Sequence, residues 1–74
     1  MLRDYIYDTK FQIYIIDKSI DILNYVDIIS FDDNKIIIEC PNYNLIIKGI
    51  DLTISKMLER ELLIKGNIEY IEFR

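Results

Sequence analysis

Apolar and polar positions alternate with a period of two along most of the chain, and polar clusters interrupt the alternation, which predicts short β-strands joined by turns. In the first run Phe11, Ile13 and Ile15 share one face, with Gln12, Tyr14 and Ile16 on the other, until Asp17-Lys18-Ser19 breaks it. Ile20, Ile22 and Asn24 then alternate with Asp21, Leu23 and Tyr25 as a second strand, and 26–31 is a third short strand or a bent extension of the second. Asp32-Asp33-Asn34 is the clearest turn, because Asp and Asn tolerate left-handed backbone and hydrogen-bond their own main chain. It predicts a hairpin into 35–40. Pro41-Asn42-Tyr43-Asn44 is the next turn, where proline fixes φ and removes a ladder donor, and it predicts a hairpin into 45–48. Over 54–65, Ile54, Met57, Leu58, Glu61 and Leu62 also keep a helical spacing. A connection between strands is the preferred reading, since about seven residues are too few for a free-standing helix; a single helical turn at 56–61 is the alternative. Residues 1–10 are mixed polar and aromatic, a short strand or a loose arm.

One pattern occurs twice: LIIKGIDLTI at 45–54 and LLIKGNIEYI at 62–71, seventeen residues apart. Each copy is strand, Lys-Gly, strand, and the two glycines of the chain, Gly49 and Gly66, hold equivalent places. A glycine within a strand marks a bulge, a tight bend or a close backbone approach, so both are structural glycines that kink a long strand. The triplets Ile36-Ile37-Ile38, Leu45-Ile46-Ile47 and Leu62-Leu63-Ile64 are apolar on both faces, unlike a one-sided antiparallel strand. Their middle residues, Ile37, Ile46 and Leu63, are therefore interface candidates, on a face that a second layer, a second copy or a partner covers. Ile50, Leu52 and Ile54 alternate with Asp51, Thr53 and Ser55, a strand with one wet side.

These elements predict one all-β domain over 1–74: a small antiparallel meander or sandwich-like sheet of about six or seven short strands in consecutive hairpins. Its expected core is Ile36, Ile38, Leu45, Ile47, Leu52, Ile54, Leu62, Ile64 and Ile68. The seventeen-residue repeat leaves a short β-solenoid as the alternative.

Composition sharpens this picture. The 74 residues include 18 Ile, one Val and no Ala, with six Tyr and three Phe, which favours strand over helix. A domain of this size buries only about 60–65% of its unfolded surface, so 51% apolar residues exceed what one thin core hides, and a homo-oligomer or an obligate protein partner is expected. The Ile, Lys, Asn and Tyr usage fits AT-rich codons and a low-GC bacterial source. A net charge of −4, with the lysines dispersed, argues against nucleic acid. No apolar run approaches the ~20 residues that span a bilayer, and MLRDYIYDTK has no apolar leader core. With a single cysteine, this predicts a cytoplasmic protein in a reducing compartment.

The candidate chemistry is sparse. With no His and one Cys there is no zinc ligand set and no Cys–His pair. Asp32 and Asp33 lack the calcium-loop spacing and read as a solvated turn. Gly49 and Gly66 follow lysines but build no phosphate loop. Cys40 reads as a small buried hydrophobe. Tyr5, Tyr7, Tyr14, Tyr25, Tyr43 and Tyr70 are either a binding face or half-buried strand residues. An enzymatic reading rests only on scattered carboxylates, Glu39, Glu59, Glu61, Glu69 and Glu72. No cofactor, metal or catalytic residue is expected.

The order ILNYVDIISFDDNKIIIEC at 22–40, LIIKGIDLTISKM at 45–57 and ELLIKGNIEYIEF at 61–73 resembles the YabP/YqfC family of bacterial sporulation proteins. The matching features are a strand ending in Asn-Tyr, an Ile-rich segment, an acidic turn, and two Leu-x-Ile-x-Gly segments carrying Gly49 and Gly66. The turn at 41–44 lacks the glycine that pattern has there, and 1–10 lie outside the match. The resemblance implies a Firmicutes protein of the mother-cell cytoplasm, at the forespore surface, acting as an assembly or scaffold factor in spore coat or cortex formation beside a membrane-protein partner. A β-sheet interaction module unrelated to sporulation is the alternative.

Overall fold

In a computed structural model that describes residues 10–74, the alternating runs become six strands: β1 (Gln12–Ile16), β2 (Ser19–Leu23), β3 (Asp27–Phe31), β4 (Lys35–Glu39), β5 (Asn44–Met57) and β6 (Glu61–Phe73). All pairings are antiparallel, in the order β1-β2-β6-β5-β4-β3. The acidic turn closes with the Asp32 N–H donating to the Lys35 carbonyl at 2.9 Å, and the proline turn with the Cys40 N–H donating to Tyr43 at 2.9 Å. Residues 58–60 are a turn closed by the Leu58 N–H on the Glu61 carbonyl at 2.8 Å. No helical turn forms at 56–61. The expectation for 1–9 falls outside the described residues.

The hairpins are not all consecutive. β2 pairs β6, and β3 sits at the opposite edge, so 26–31 is not an extension of the second strand. Asn24 is the cause: its φ of 63° takes the chain out of the extended region. The connection then runs past the β5–β6 turn, where the Asn24 N–H donates to the Arg60 carbonyl at 2.6 Å and the Tyr25 hydroxyl to the Leu58 carbonyl at 2.9 Å. Nor are all the strands short, since each repeat is one strand, of 14 and 13 residues.

The sheet folds over itself. Ile20 and Ile22 on β2 and Ile36 and Ile38 on β4 have no exposure and belong to one core cluster with Leu45, Ile47, Leu52, Leu62 and Ile64. In a flat sheet β2 and β4 would lie three strand spacings apart, about 14 Å, with one face bare. Their joint burial requires two layers: β3, β4, the first half of β5 and the second half of β6 against β1, β2, the first half of β6 and the second half of β5. The long strands pass from one layer to the other at the glycines. Phe11, Tyr43 and Phe73 close the end far from this bend with edge-to-face ring contacts at 5.8 and 5.1 Å.

The bend is built from bulges. Pairing between β5 and β6 shifts register between Lys48 and Gly49, between Ile50 and Thr53, and between Ile54 and Lys56. The second shift centres on Asp51, whose φ of 55° reverses the side-chain phase. Ile50 is consequently 49% exposed while Leu52 is buried, so the expected shared face of Ile50, Leu52 and Ile54 does not exist. A Cβ on Gly49 would land on the Asn67 carbonyl oxygen. One on Gly66, at φ 145°, would lie 2.7 Å from the Asp51 carbonyl oxygen. Both are structural glycines at a crossing of two backbones.

The layers mirror each other in register. Ile20 pairs with Ile64 and Ile22 with Leu62 in one; Ile36 pairs with Ile47 and Ile38 with Leu45 in the other. The Lys18 carbonyl accepts the Gly66 N–H and the Asn34 carbonyl accepts the Gly49 N–H, each at 3.0 Å. Each hairpin turn thus docks on the glycine of its own layer's long strand, and the repeat forms an antiparallel pair, not a solenoid. Of the expected core, Ile54 and Ile68 are only half-buried, and Ile20, Ile22 and Cys40 join it.

Candidate functional site

Reactive groups are dispersed over this frame. Cys40 is 4% exposed, its Sγ lies 3.7 Å from the Ile38 carbonyl, and burial pushes the thiol up to about 11, so it is a core side chain and not a nucleophile at neutral pH. Asp32 and Asp33 sit in the open β3–β4 turn. Hydrogen bonds from Asp33 and the Asn34 backbone hold the Asp32 carboxyl low, while Asp33 is pushed up by its bond to Asp32 and by that neighbour's charge. Among the described residues no group of three His, Cys, Asp or Glu side chains is placed to hold a metal ion.

Two clusters of carboxylates lie on the outer faces. Asp21 on β2 pairs across the ladder with Leu63, and Glu61 lies beside it, 3.6 Å from the Lys56 ammonium. Burial, then the bond to and charge of Glu61, raise the Asp21 carboxyl, with Lys56 acting the other way. On the other layer the Arg74 Nε donates to Glu72 at 2.8 Å and the Tyr70 hydroxyl to Glu72 at 3.0 Å, while the Lys48 ammonium stands 5.3 Å from the Tyr70 ring centre. Glu39 stands opposite Asp27 at the outer end of β4.

Of the interface candidates, Ile37 and Ile46 are brought together as a cross-strand pair on the outer face of the β3–β4 layer. Ile46 is only 6% exposed, with Glu72 directly opposite, and Ile37 is half-buried. Leu63 lies on the outer face of the other layer, between Asp21 and Lys56. The tyrosines do not converge either: Tyr43 belongs to the aromatic end, Tyr25 is tied to the β5–β6 turn, and Tyr14 and Tyr70 lie on separate layers. Tyr5 and Tyr7 are outside the described residues.

Exposed apolar side chains lie at the β5–β6 turn and the connection passing it (Val26, Met57 and Leu58), at the bend (Ile50) and on the two edge strands. Ile15 and Ile16 on β1 are 58% and 66% exposed, and Ile29 and Phe31 on β3 are each 53% exposed. Ile15 shares the inward face with its ladder partner Ile20, yet β1 overhangs an open groove lined by Ile15, Asp17, Ile68, Glu69, Tyr70 and Ile71. Ile29 is the extra residue of a bulge between Ile28 and Ser30. Sequence reasoning missed this groove. The available signal was the gap of five residues from Gly49 to Ile54 and from Gly66 to Ile71: an odd gap puts its two ends on opposite faces unless a bulge intervenes.

A model of the YabP family matches residues 8–74. No curated protein and no solved structure matches the chain.

Proposed function

Because the chain belongs to the YabP family, a family of sporulation-associated proteins, we propose that it is a non-catalytic assembly factor in the formation of the spore envelope, coat or cortex. The observation behind this reading is the contrast between dispersed reactive groups and apolar side chains left open at the strand edges, Ile15, Ile16, Ile29 and Phe31. Such edges favour protein contact. Among the described residues, no helix is long and apolar enough to cross a membrane. The proposed setting is the mother-cell cytoplasm at the forespore surface, with the chain self-associated or held by a membrane-protein partner. Deletion of the gene should leave growth unchanged and lower the yield of heat-resistant spores, and a transcript series should show expression starting after engulfment begins. Equal expression in growing cells would overturn the assignment in favour of an interaction module outside sporulation.

A further inference from the structure

We propose that the free edge of β6 from Ile68 to Phe73, with the groove beside it, takes up an extended segment of a partner protein as an added strand, one in which apolar and basic residues alternate. The inference rests on the reading of this chain as a protein that works by being bound, and it names where and by what.

The backbone provides the first reason. β2 leaves β6 at the Ser19–Lys65 pair, and the Gly66 N–H is taken by the Lys18 carbonyl. Beyond that point, among the described residues, β6 has β5 on one side and no strand on the other. A strand with one ladder unfilled is a template for another chain, the main chain supplying affinity and alternate side chains supplying selectivity.

The groove supplies the selectivity. It encloses ≈ 240 Å³ and is open to solvent. That is below the roughly 300–1,000 Å³ of small-molecule pockets. It suits side chains arriving at the ~6.6 Å repeat of one face of a strand. Ile15, Ile68 and Ile71 give it an apolar floor, and Asp17 and Glu69, both solvent-exposed, complete its lining; neither carboxylate has a hydrogen-bond or ion partner among the described residues. Glu69 is the extra residue opposite the Lys48–Gly49 step. Apolar contacts with unanswered acids select an apolar and basic segment. They select against a second copy of this chain, whose net charge is −4.

The test uses the full chain and a ten-residue peptide alternating valine with lysine, followed by amide NMR. The expected result is a set of shifts and slowed amide exchange confined to 68–73 and 15–18. Asp17→Asn with Glu69→Gln should weaken uptake several-fold with the remaining spectrum unchanged. A valine–glutamate peptide, and a valine–lysine peptide N-methylated at alternate residues, should both fail to bind. Equal binding of the N-methylated peptide would reduce the effect to charge attraction and overturn the proposal, as would shifts centred elsewhere. Slow exchange in the peptide-free chain at those amides of 68–73 that point away from β5 would also overturn it, assigning the edge to a second copy if it grows with concentration and to the chain's own first nine residues if it does not. Peptide uptake with normal spores after deletion keeps the groove and removes the sporulation role; a spore defect without uptake does the reverse.

Discussion

Replacing Gly66 by alanine adds one methyl group at the place where the two long strands cross, and the structure makes that methyl costly on two counts. The backbone there has φ 145°, a conformation that L side chains rarely adopt. Holding a non-glycine residue in such a region costs about 1–3 kcal/mol. The added Cβ would also lie 2.7 Å from the Asp51 carbonyl oxygen and 3.0 Å from the Leu52 Cα, both backbone atoms that no rotamer change can move. Overpacking of this kind costs about 1–3 kcal/mol more. The sum, about 2–6 kcal/mol, compares with a total stability of about 4–11 kcal/mol for 74 residues at ~0.05–0.15 kcal/mol per residue. Each kcal/mol moves the melting temperature of so small a domain by about 4–8 °C, so Gly66→Ala should lower it by at least ~8 °C in a thermal melt followed by circular dichroism. Asp51→Gly is the control: it relieves a left-handed residue at φ 55° in the same bend, worth about 1–2 kcal/mol, but frees the unfolded chain by about 0.4–1 kcal/mol, so it should leave the melt unchanged or slightly raised. A Gly66→Ala domain within ~0.5 kcal/mol of the parent would refute the backbone crossing.

Three further outcomes follow from single side chains. Burial and Glu61 hold the folded-state Asp21 carboxyl above 3.8, so its contribution is fully present below that pH and is lost as pH rises through the raised value; Asp21→Asn should be the more stable form at pH 7 and equal to the parent near pH 3 in paired urea titrations. Cys40 should be silent to a thiol reagent at pH 8 in the native state and react fully only in denaturant, because burial pushes it up to about 11; complete reaction of the folded domain within seconds would contradict that placement. Ile47→Asp places an unpaired charge at a position with no exposure and should unfold the domain, whereas Ile37→Asp, on the outer face, should leave the circular dichroism spectrum intact and test by sedimentation whether that face holds subunits together.

What was legible in the sequence was local, and what was not depended on contacts between distant segments. Period-two alternation places β1, β2 and β4 to within a residue or two, because side-chain direction in a strand depends on nothing beyond its neighbours; it leaves β3 open as an extension of β2 and stops short of the end of β5 at Met57. The turns at 32–34 and 41–44 were legible for the same reason, since Asp, Asn and Pro act on their own backbone, although Asn44 already opens β5. The pairing of β2 with β6 was not, since Ile20 and Ile22 fit equally well against any strand that offers an apolar inward pair. Nor was the exposure of Ile50. Alternation assigned it to the face of Leu52, and only the left-handed Asp51 between them, held there by the Leu52 N–H donating to the Asp33 carbonyl at 2.8 Å, separates the two. Selecting apolar positions that face away from the core gives Ile37, Ile46 and Leu63, of which Ile37 and Ile46 stand opposite each other across β4 and β5. It passes over Ile15, which is inward by register and open only because β1 overhangs the edge of the other layer.

The repeat takes on a different meaning once the layers are seen. Matching Leu45, Ile47 and Gly49 to Leu62, Ile64 and Gly66 describes one strand of each half, but each half also has its hairpin: Ile36 and Ile38 beside the first strand, Ile20 and Ile22 beside the second. Each long strand with its hairpin, β3-β4-β5 or β1-β2-β6, is therefore a three-strand unit whose turn docks on a glycine, and each layer is completed by the far half of the other unit's long strand. That sharing leaves the edges open. A long strand gives half its length to its own hairpin and the other half to the opposite layer, where its outer side has no hairpin to meet. The second half of β6 is in that position, with the overhanging β1 forming the other wall of the groove. The crossing at the glycines that closes the core of so short a chain thus also exposes a strand edge, so a fold with few reactive groups has a specific place at which to be bound.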